Sequence, residues 1–444
     1  MQRLKSALEM PGDFGVPILS DLQFAASEGY CLLQKWQKYG SAFKMRLLGQ
    51  KCAVLIGAQA NRLVLVEQAD CLSSYLGWRY FVEPPFGRTL MIQDGQEHSN
   101  TRRLMMPAFH STAIASYFQT MQEIVQASLK TLATQGEVPL MDALRRMTLL
   151  VGVRLLLGIP QNQEIDEIEQ WYEAQLKASL TLFRLNLPFT TFGKGQIARQ
   201  KLKRQLLLII AQRRQALRLL ASQDALGLFL AAVDTEGKTL PDEQIMDEVV
   251  HLVNASHFTT AGVLSWAMFE LAARPQWCQR LRCELEQVVG SGDLNVEQLR
   301  QLPQMTHFLK EIERLYPPTS LIVRGVVKEI EFAGYQIPPG WTIIISQFVT
   351  HRLSSIYTNP EEFDPDRFAP PREEDKKVPF SLLGFGGGAH VCIGREFALM
   401  EIKIFLASLL RKYHWVITPE YSAVAPVLVP PKAQNKLRVR LTPA

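Results

Sequence analysis

The spacing of apolar side chains predicts that most of this chain is helical. Apolar residues recur every three to four positions, the period of an amphipathic α-helix, over residues 112–134, 141–157, 196–221 and 275–289. The same spacing continues from Pro241-Asp242 to Ala273 and stops before Pro275. That stretch predicts one helix of roughly 30 residues, far longer than the average helix, and such a helix usually crosses the centre of a domain.

Shorter patterns predict a small sheet assembled from both ends of the chain. Residues 43–57 alternate apolar and polar on either side of Gly49-Gln50, which is typical of a hairpin. Three further strands are predicted at 321–327, 330–337 and 341–347. A final helix is expected over residues 393–411. We therefore expect a mainly α fold with a small β subregion, in a single domain covering residues 1–444.

Composition places the chain among ordered globular proteins. The 444 residues are 47% apolar and 20% charged, and the net charge of +5 gives no indication of nucleic-acid binding. No uninterrupted apolar stretch reaches the roughly 18 to 20 residues of a membrane span, and the N-terminus lacks the apolar core of a signal peptide. The six cysteines are scattered, without the close pairs of a zinc site. These features predict a soluble, cytoplasmic protein, and we expect a monomer.

The most basic part of the chain, within residues 193–218, predicts an amphipathic helix with a solvated charged face. Peripheral contact with an anionic membrane surface, or with a partner protein, is the alternative.

The stretch FGGGAHVCIGREFALMEIKIFLASLL, from Phe385 to Leu410, carries the most chemical information. Three glycines, Gly386 to Gly388, allow the backbone to approach a bulky group, and Cys392 follows at the start of the final helix. A helix N-terminus favours the thiolate, the form that ligates metals or attacks electrophiles. A phosphate-binding loop is the rival interpretation, but the Gly-Lys-Ser/Thr ending is missing. An inert buried cysteine is the other alternative.

The run Phe385-Gly386-x-Gly388-x-His390-x-Cys392-x-Gly394 resembles the haem-ligating loop of the cytochrome P450 superfamily, the haem-thiolate monooxygenases, in its soluble bacterial type. Glu311-x-x-Arg314 and the later FDPDRF, which contains Arg367, resemble the family's Glu-Arg-Arg triad in order and spacing. The resemblance implies that the triad is a buried structural network. It also implies a triangular, mainly helical fold that binds haem b through the Cys392 thiolate, with the long helix crossing the distal face.

The resemblance further implies that four side chains hold the haem propionates, because two buried carboxylates need cationic or hydrogen-bonding partners. These are His98, Arg102, Arg324 and His390, and Phe385 completes the expected cofactor-binding set. A histidine on a helix surface is the alternative for His98. His351-Arg352 also matches a family pattern, and we interpret it as structural.

The long helix departs from the family between Ala255 and Thr260. The family usually has Ala/Gly-Gly-x-Asp/Glu-Thr-Thr, so Ser256 stands for the glycine and Phe258 for the acid. The resemblance implies that the threonine orders dioxygen and a water molecule, while the acid helps to deliver protons. Helical spacing puts Ser256 and Thr259 on one face, so we predict that both hydroxyls face the haem pocket, with Phe258 on the side from which protons would arrive. A close helix crossing is the alternative explanation for these small residues.

Three functions follow from these features. The first is a monooxygenase that hydroxylates or epoxidises a lipophilic substrate, with Ser256, Thr259 and water replacing the acid-fed relay. The second is a haem-thiolate peroxygenase, isomerase or cyclase, and the third is a non-catalytic haem-binding protein. Residues 73–93 and 180–192 fall at the family's pocket-capping and substrate-access loops. Their apolar and aromatic content suggests a fatty acyl or terpenoid substrate, with ordinary packing as the alternative.

Electrons are expected to come from a separate ferredoxin or flavodoxin with its reductase, because no flavin or iron–sulfur domain is recognisable in the chain. The resemblance places four cations on the cysteine side, where they would form a docking face for an acidic partner: Arg102, Arg103, Arg395 and Lys403.

Overall fold

A computed structural model describes residues 4–16, 19–159, 165–179, 181, 184–216, 224–419 and 437–444. The chain divides into two compact units. Unit 1 comprises Met1–Arg79 and Thr306–Cys392, and unit 2 comprises Tyr80–Met305 and Ile393–Ala444. The single-domain organisation stays a prediction, and each unit is described by itself.

Helices dominate the described residues. In chain order they are α1 (Leu19–Ala26), α2 (Glu28–Tyr39), α3 (Ala58–Arg62), α4 (Ser74–Phe86), α5 (Gly95–Met105), α6 (Ser111–Thr134), α7 (Leu140–Leu156), α8 (Ile165–Ser179), α9 (Thr191–Ala216), α10 (Ala225–Ala231), α11 (Asp242–Ala273), α12 (Pro275–Val288), α13 (Val296–Arg300), α14 (Pro303–Leu315), α15 (Gln347–Thr350), α16 (Glu374–Lys377) and α17 (Arg395–Lys412). No described helix is long and apolar enough to span a membrane.

The strands are short. They are β1 (Lys5–Ser6), β2 (Ala42–Leu47), β3 (Gln50–Leu55), β4 (Leu72–Ser73), β5 (Glu137–Pro139), β6 (Ile322–Val326), β7 (Ile330–Phe332), β8 (Tyr335–Ile337), β9 (Thr342–Ile345), β10 (Tyr413–Pro419) and β11 (Leu437–Pro443).

Unit 1 contains the predicted sheet, with strand order β2-β3-β9-β6-β4 and a separate sheet of order β1-β8-β7. The β2–β3 hairpin turns at Leu48 and Gly49, which both have positive φ. Side chains alternate along β9, where Ile343 and Ile345 join one hydrophobic cluster and Ile344 joins another. Because both faces of the strand are covered, Ile343, Ile344 and Ile345 are all apolar. The predicted β subregion is therefore built from distant segments, but the strand predicted over 330–337 is a pair of strands, β7 and β8, in the separate sheet with β1.

Unit 2 is organised around α11, which has 32 residues and the bounds that the sequence predicts. Pro275 occupies the first turn of α12 and marks the end of the long helix. Helices α7, α9, α10, α12 and α17 pack against α11. The predicted helix over 196–221 begins earlier, at Thr191, and its residues 217–221 lie outside the described residues.

A three-stranded sheet of order β10-β11-β5 in unit 2 was not expected from the sequence. The register pairs Tyr413 with Pro443, and Arg440 with both Val416 and Glu137. Strand pairing between such distant segments carries little local signal, because it depends on tertiary contacts.

Candidate functional site

The loop before α17 presents Cys392 at the surface of unit 1. The backbone N–H of Cys392 donates to the carbonyl oxygen of Phe385 over 2.9 Å, which closes the loop. Gly388 has a φ of +64°, and a Cβ at this position would lie 2.0 Å from the carbonyl oxygen of Leu65. Only glycine fits such a close backbone approach. The helix begins three residues after the cysteine, at Arg395, slightly later than predicted.

His390 lies two residues before the cysteine and is half-buried. Its Nε2 is 3.1 Å from the hydroxyl oxygen of the buried Ser74, at the start of α4. Sequence reasoning missed Ser74, since a serine at a helix start is ordinarily explained by capping. The contact fixes the orientation of the imidazole within unit 1.

His351 connects the same loop to α14. The backbone N–H of Leu383 donates to His351 Nε2 over 3.0 Å, so Nδ1 carries the proton and donates to the carbonyl oxygen of Arg314, also over 3.0 Å. Burial lowers the pKa of His351 to about 3, and the imidazole therefore stays neutral. These contacts agree with the structural interpretation of His351.

Glu311, Arg314 and Arg367 form a buried ionic network in unit 1. Arg314 donates Nε and Nη2 to the two Glu311 oxygens over 2.7 and 2.8 Å, and Arg367 Nε lies 3.2 Å from Glu311 Oε1. Arg367 also donates to Glu374 over 2.9 Å, a fourth member that the sequence did not reveal. Burial opposes ionisation of Glu374, but hydrogen bonds from Arg372 and Arg367 lower its pKa. Every charge in the network is paired, which is what burial requires.

The predicted propionate ligands are found in both units. Arg324 is buried in β6 of unit 1, where Nη1 donates to the carbonyl oxygen of Val323 over 2.9 Å. His98 and Arg102 lie one turn apart on α5 of unit 2. His98 is buried, so the alternative of a surface histidine does not describe it. The assignment of these residues to a cofactor stays a prediction.

The two hydroxyls that helical spacing places on one face of α11 have different neighbours. Thr259 is half-buried, and its Oγ1 donates to the carbonyl oxygen of the exposed Ala255 over 2.7 Å. Ser256 instead donates to the carbonyl oxygen of Val253 over 3.0 Å. A Cβ at Gly152 of α7 would lie 3.0 Å from Ser256 Oγ. Ser256 therefore lies close to α7, as the helix-crossing alternative expects, and the shared pocket face stays a prediction.

Phe258 contacts a cation. The guanidinium carbon of Arg145, on α7, lies 5.2 Å from the centroid of the Phe258 ring. Burial lowers the pKa of Arg145, and its Nε makes no hydrogen bond to any described residue. The adjacent His257 is neutral, since burial lowers its pKa to about 4.

Glu248 is a buried carboxyl group that sequence reasoning missed. It lies seven residues before Ala255, on the same face of α11. Its Oε1 accepts hydrogen bonds from the backbone N–H of Leu90 over 2.8 Å and from Gln93 Nε2 over 3.5 Å. Burial raises the pKa of Glu248 to about 8. An acid flanked by apolar residues on a helix that is expected to be central, between Met246 and Val249, is the signal that could have found it.

The cations predicted to dock a redox partner differ in exposure. Lys403 is half-buried, its ammonium donates to the carbonyl oxygen of Leu299 over 3.0 Å, and burial lowers its pKa. Arg103 and Arg395 are exposed. We therefore correct the predicted face by removing Lys403, because its charge is committed to an internal contact.

Cys392 is the single thiol of the predicted site and is suited to ligate iron. Within the described ranges no group of three or more His, Cys, Asp and Glu side chains is placed to hold a metal ion. Cys392 offers one exposed soft ligand on a glycine loop whose backbone conformation is fixed. These residues fit a group that brings its remaining metal ligands with it, as a haem does.

Comparisons with known proteins agree with this donor set. The family model described as Cytochrome P450 matches residues 18–432. A Synechocystis sp. protein named as a cytochrome P450 is 32% identical over 97% of this chain and 96% of its own. The abscisic acid 8'-hydroxylase 2 of Arabidopsis thaliana is 28% identical over 98% of this chain and 89% of its own. A solved structure described as retinoic acid bound cyanobacterial CYP120A1 has a TM-score of 0.88 and 31% identity, covering 99% of this chain and 100% of that one.

Proposed function

Since the chain belongs to the cytochrome P450 family and is a monooxygenase of that type, we propose that it hydroxylates or epoxidises a lipophilic substrate with dioxygen and external electrons. The observation that carries the proposal is the exposed Cys392, held in a glycine loop by its hydrogen bond to Phe385. We propose that residues 1–444 act as one haem-binding domain.

Cys392 is the proposed axial ligand of haem b. His98, Arg102, Arg324 and His390 are the proposed partners of the propionates, and Phe385 is proposed to contact the macrocycle. When bound, haem supplies the iron at which dioxygen is activated. The Ser74 hydroxyl supports the role of His390, because its contact with Nε2 restrains the imidazole.

Thr259 is the proposed catalytic hydroxyl. Its proton is directed at the Ala255 carbonyl oxygen, 2.7 Å away, which leaves the lone pairs of Oγ1 able to accept a proton or a hydrogen bond from water. Ser256 is proposed to contribute less to proton delivery than Thr259, because its hydroxyl lies close to Gly152 of α7.

Phe258 favours a second candidate function. A phenyl ring cannot donate or accept a proton, and the Arg145 guanidinium lies against this ring. The acid that usually helps to deliver protons is therefore replaced by a group that cannot do so. A peroxygenase, or an isomerase or cyclase, would have less need of that acid. A non-catalytic haem-binding protein is the remaining alternative.

A terpenoid is the proposed class of substrate. The names of two similar proteins contain abscisic acid and retinoic acid, and both compounds are terpenoids. Tyr80, Phe81 and Phe192 come from the two segments expected to contact substrate, and their rings surround one cation in unit 2. Residues 180, 182 and 183 of the second segment lie outside the described residues.

A ferredoxin or flavodoxin with its reductase is the proposed electron donor, and Arg102, Arg103 and Arg395 are the proposed docking cations. The six cysteines are free thiols, which supports the proposal of a reducing, cytoplasmic location. We propose a monomeric protein.

The experiment is a carbon-monoxide difference spectrum of the reduced chain, compared with that of Cys392→Ser. We expect the red-shifted band of thiolate ligation in the parent and its loss in the variant. Turnover is then measured with a ferredoxin, its reductase and dioxygen, and separately with hydrogen peroxide. Product from dioxygen supports the monooxygenase, product from peroxide alone supports the second candidate, and no product under either condition with haem bound supports the third.

A further inference from the structure

Arg184 lies among three aromatic rings in unit 2. Its guanidinium carbon is 3.9 Å from the centroid of Tyr80, 5.4 Å from that of Phe192 and 5.9 Å from that of Phe81. Tyr80 and Phe81 belong to α4, and Phe192 lies in the first turn of α9. Elements far apart in the sequence therefore supply the ring faces around one cation, and this surrounding holds the guanidinium in place.

Two nitrogens on one edge of this guanidinium are buried without a partner among the described residues. Nε and Nη2 of Arg184 are inaccessible to solvent and make no hydrogen bond. Within the part of the chain that the structure describes, no carboxylate forms an ion pair with Arg184. Removal from water disfavours the charged form and lowers the pKa of Arg184, while the charge interaction and the side-chain hydrogen bond with Tyr80 act in the opposite direction.

The same edge binds a carboxylate elsewhere in this chain. Arg88 donates Nε and Nη2 to the two oxygens of Glu97, each over 2.7 Å. Arg314 uses the same two nitrogens to hold Glu311. Two parallel N–H groups match the two oxygens of a carboxylate, so the edge is a complete recognition unit. In Arg184 that unit is preformed and desolvated.

We propose that Arg184 binds the carboxylate of a lipophilic acid, whose carbon chain contacts the rings of Tyr80, Phe81 and Phe192. This inference rests on the proposed function, since it names the chemical class of the substrate. Three apolar residues after Arg184 are exposed by 62%, 44% and 73%, namely Leu185, Leu187 and Phe189. A cation beside three rings, followed in sequence by exposed apolar side chains, matches a molecule with one anionic end and a long apolar body.

Binding to the full haem-loaded chain tests the proposal. The ligands are geranylgeranoic acid, its methyl ester and geranylgeraniol, together with palmitic acid and methyl palmitate. The two acids distinguish an isoprenoid from a fatty acyl body. Dissociation constants come from the spin-state shift, and thermal stabilisation is measured in parallel because it does not require a haem signal.

We expect at least one acid to bind the parent chain about tenfold more tightly than its methyl ester, which is the effect of one good charged pair. Arg184→Gln should abolish that preference and leave ester binding within about threefold. Arg184→Lys should retain part of it, because a point charge replaces the fork. Arg280→Gln is the matched control, since Arg280 lies 3.9 Å from the ring centroid of Trp277 outside the proposed site and should not affect the preference.

Equal binding of acids and esters by the parent chain, no binding of either acid, or a preference that survives in Arg184→Gln would each overturn the inference. If Arg184→Gln does not fold, the acid–ester preference is measured in Arg184→Met instead. A preference in the parent chain that is lost in Arg184→Met supports the inference, and a preference that survives overturns it. Failure of the proposed function has a different signature, namely loss of the thiolate spectrum, and thermal stabilisation by an acid can still be measured in that case.

Discussion

Arg145 and Phe258 form a cation–π contact on α7 and α11, with 5.2 Å between the guanidinium carbon and the ring centroid. The position that carries an acid in the family therefore lies against a half-buried cation in this chain. An acid at position 258 would therefore lie beside the positive charge of Arg145.

Phe258→Glu should improve the use of electrons. The new carboxylate can pair with Arg145 and restores a titratable group beside Thr259. We expect more product and less hydrogen peroxide per electron consumed, and both are measured in the reconstituted reaction. Phe258→Leu, which removes the ring and adds no acid, should not improve coupling. A parent enzyme that is already tightly coupled and unchanged by the substitution would contradict an impaired relay.

Thr259→Val and Ser256→Ala should differ in their effects. Loss of the Thr259 hydroxyl should slow product formation by about 100-fold, the lower end of the effect of a positioned proton donor, and should increase peroxide. Ser256→Ala should change turnover less than about threefold, because that hydroxyl faces Gly152 and the Val253 carbonyl. Single-turnover rates check both variants. The opposite order of effects would return Ser256 to the catalytic site.

Arg314→Met should destabilise the chain much more than Arg300→Met. Both arginines pair with a glutamate three residues earlier, but the Glu311–Arg314 side chains are fully buried, whereas those of Glu297 and Arg300 are 70% and 59% exposed. We expect a loss of about 3–5 kcal/mol in the free energy of unfolding for the buried pair and about 0–1 kcal/mol for the exposed one. Urea titration measures both, and similar losses would rule out a structural network.

Glu248 should make the protein less stable as the pH rises. Its pKa is about 8 in the folded chain against 4.5 as the reference value, so the unfolded state releases this proton first. Stability is therefore lost between about pH 4.5 and pH 8, by roughly 3 kcal/mol at pH 7. Glu248→Gln keeps an acceptor for Leu90 and should remove this part of the pH dependence. Glu243→Gln is the control, since that side chain is 71% exposed.

Charge reversal at Arg103 and Arg395 should slow reduction by an acidic donor. Both arginines are exposed, and electrostatic steering by exposed charges weakens as salt screens it. We expect the difference between the parent and each single variant, Arg103→Glu or Arg395→Glu, to shrink as ionic strength rises, measured by stopped-flow reduction. Lys130→Glu on α6 serves as the control for net charge. A difference that does not depend on salt would remove the proposed face.

The sequence was sufficient to predict the family, the mainly α fold class and the bounds of α11, because these depend on local periodicity and closely spaced motifs. It did not distinguish Ser256 from Thr259. Positions three apart on a helix differ by about 60°, and the neighbouring helix decides which hydroxyl is covered. Arg184 could not be recognised from the sequence either. Its environment comes from rings on α4 and α9, and no pattern around residue 184 indicates them.

His351 accepts a hydrogen bond at one imidazole nitrogen and donates one at the other. Leu383 and Arg314 require the two imidazole nitrogens in opposite roles, so only one tautomer satisfies both contacts. The Nδ1 proton is enclosed, and its exchange with solvent requires the connection between the ionic network and the cysteine loop to open. A slowly exchanging imidazole resonance would therefore report an intact scaffold spectroscopically, in cofactor-free preparations as well as in loaded ones.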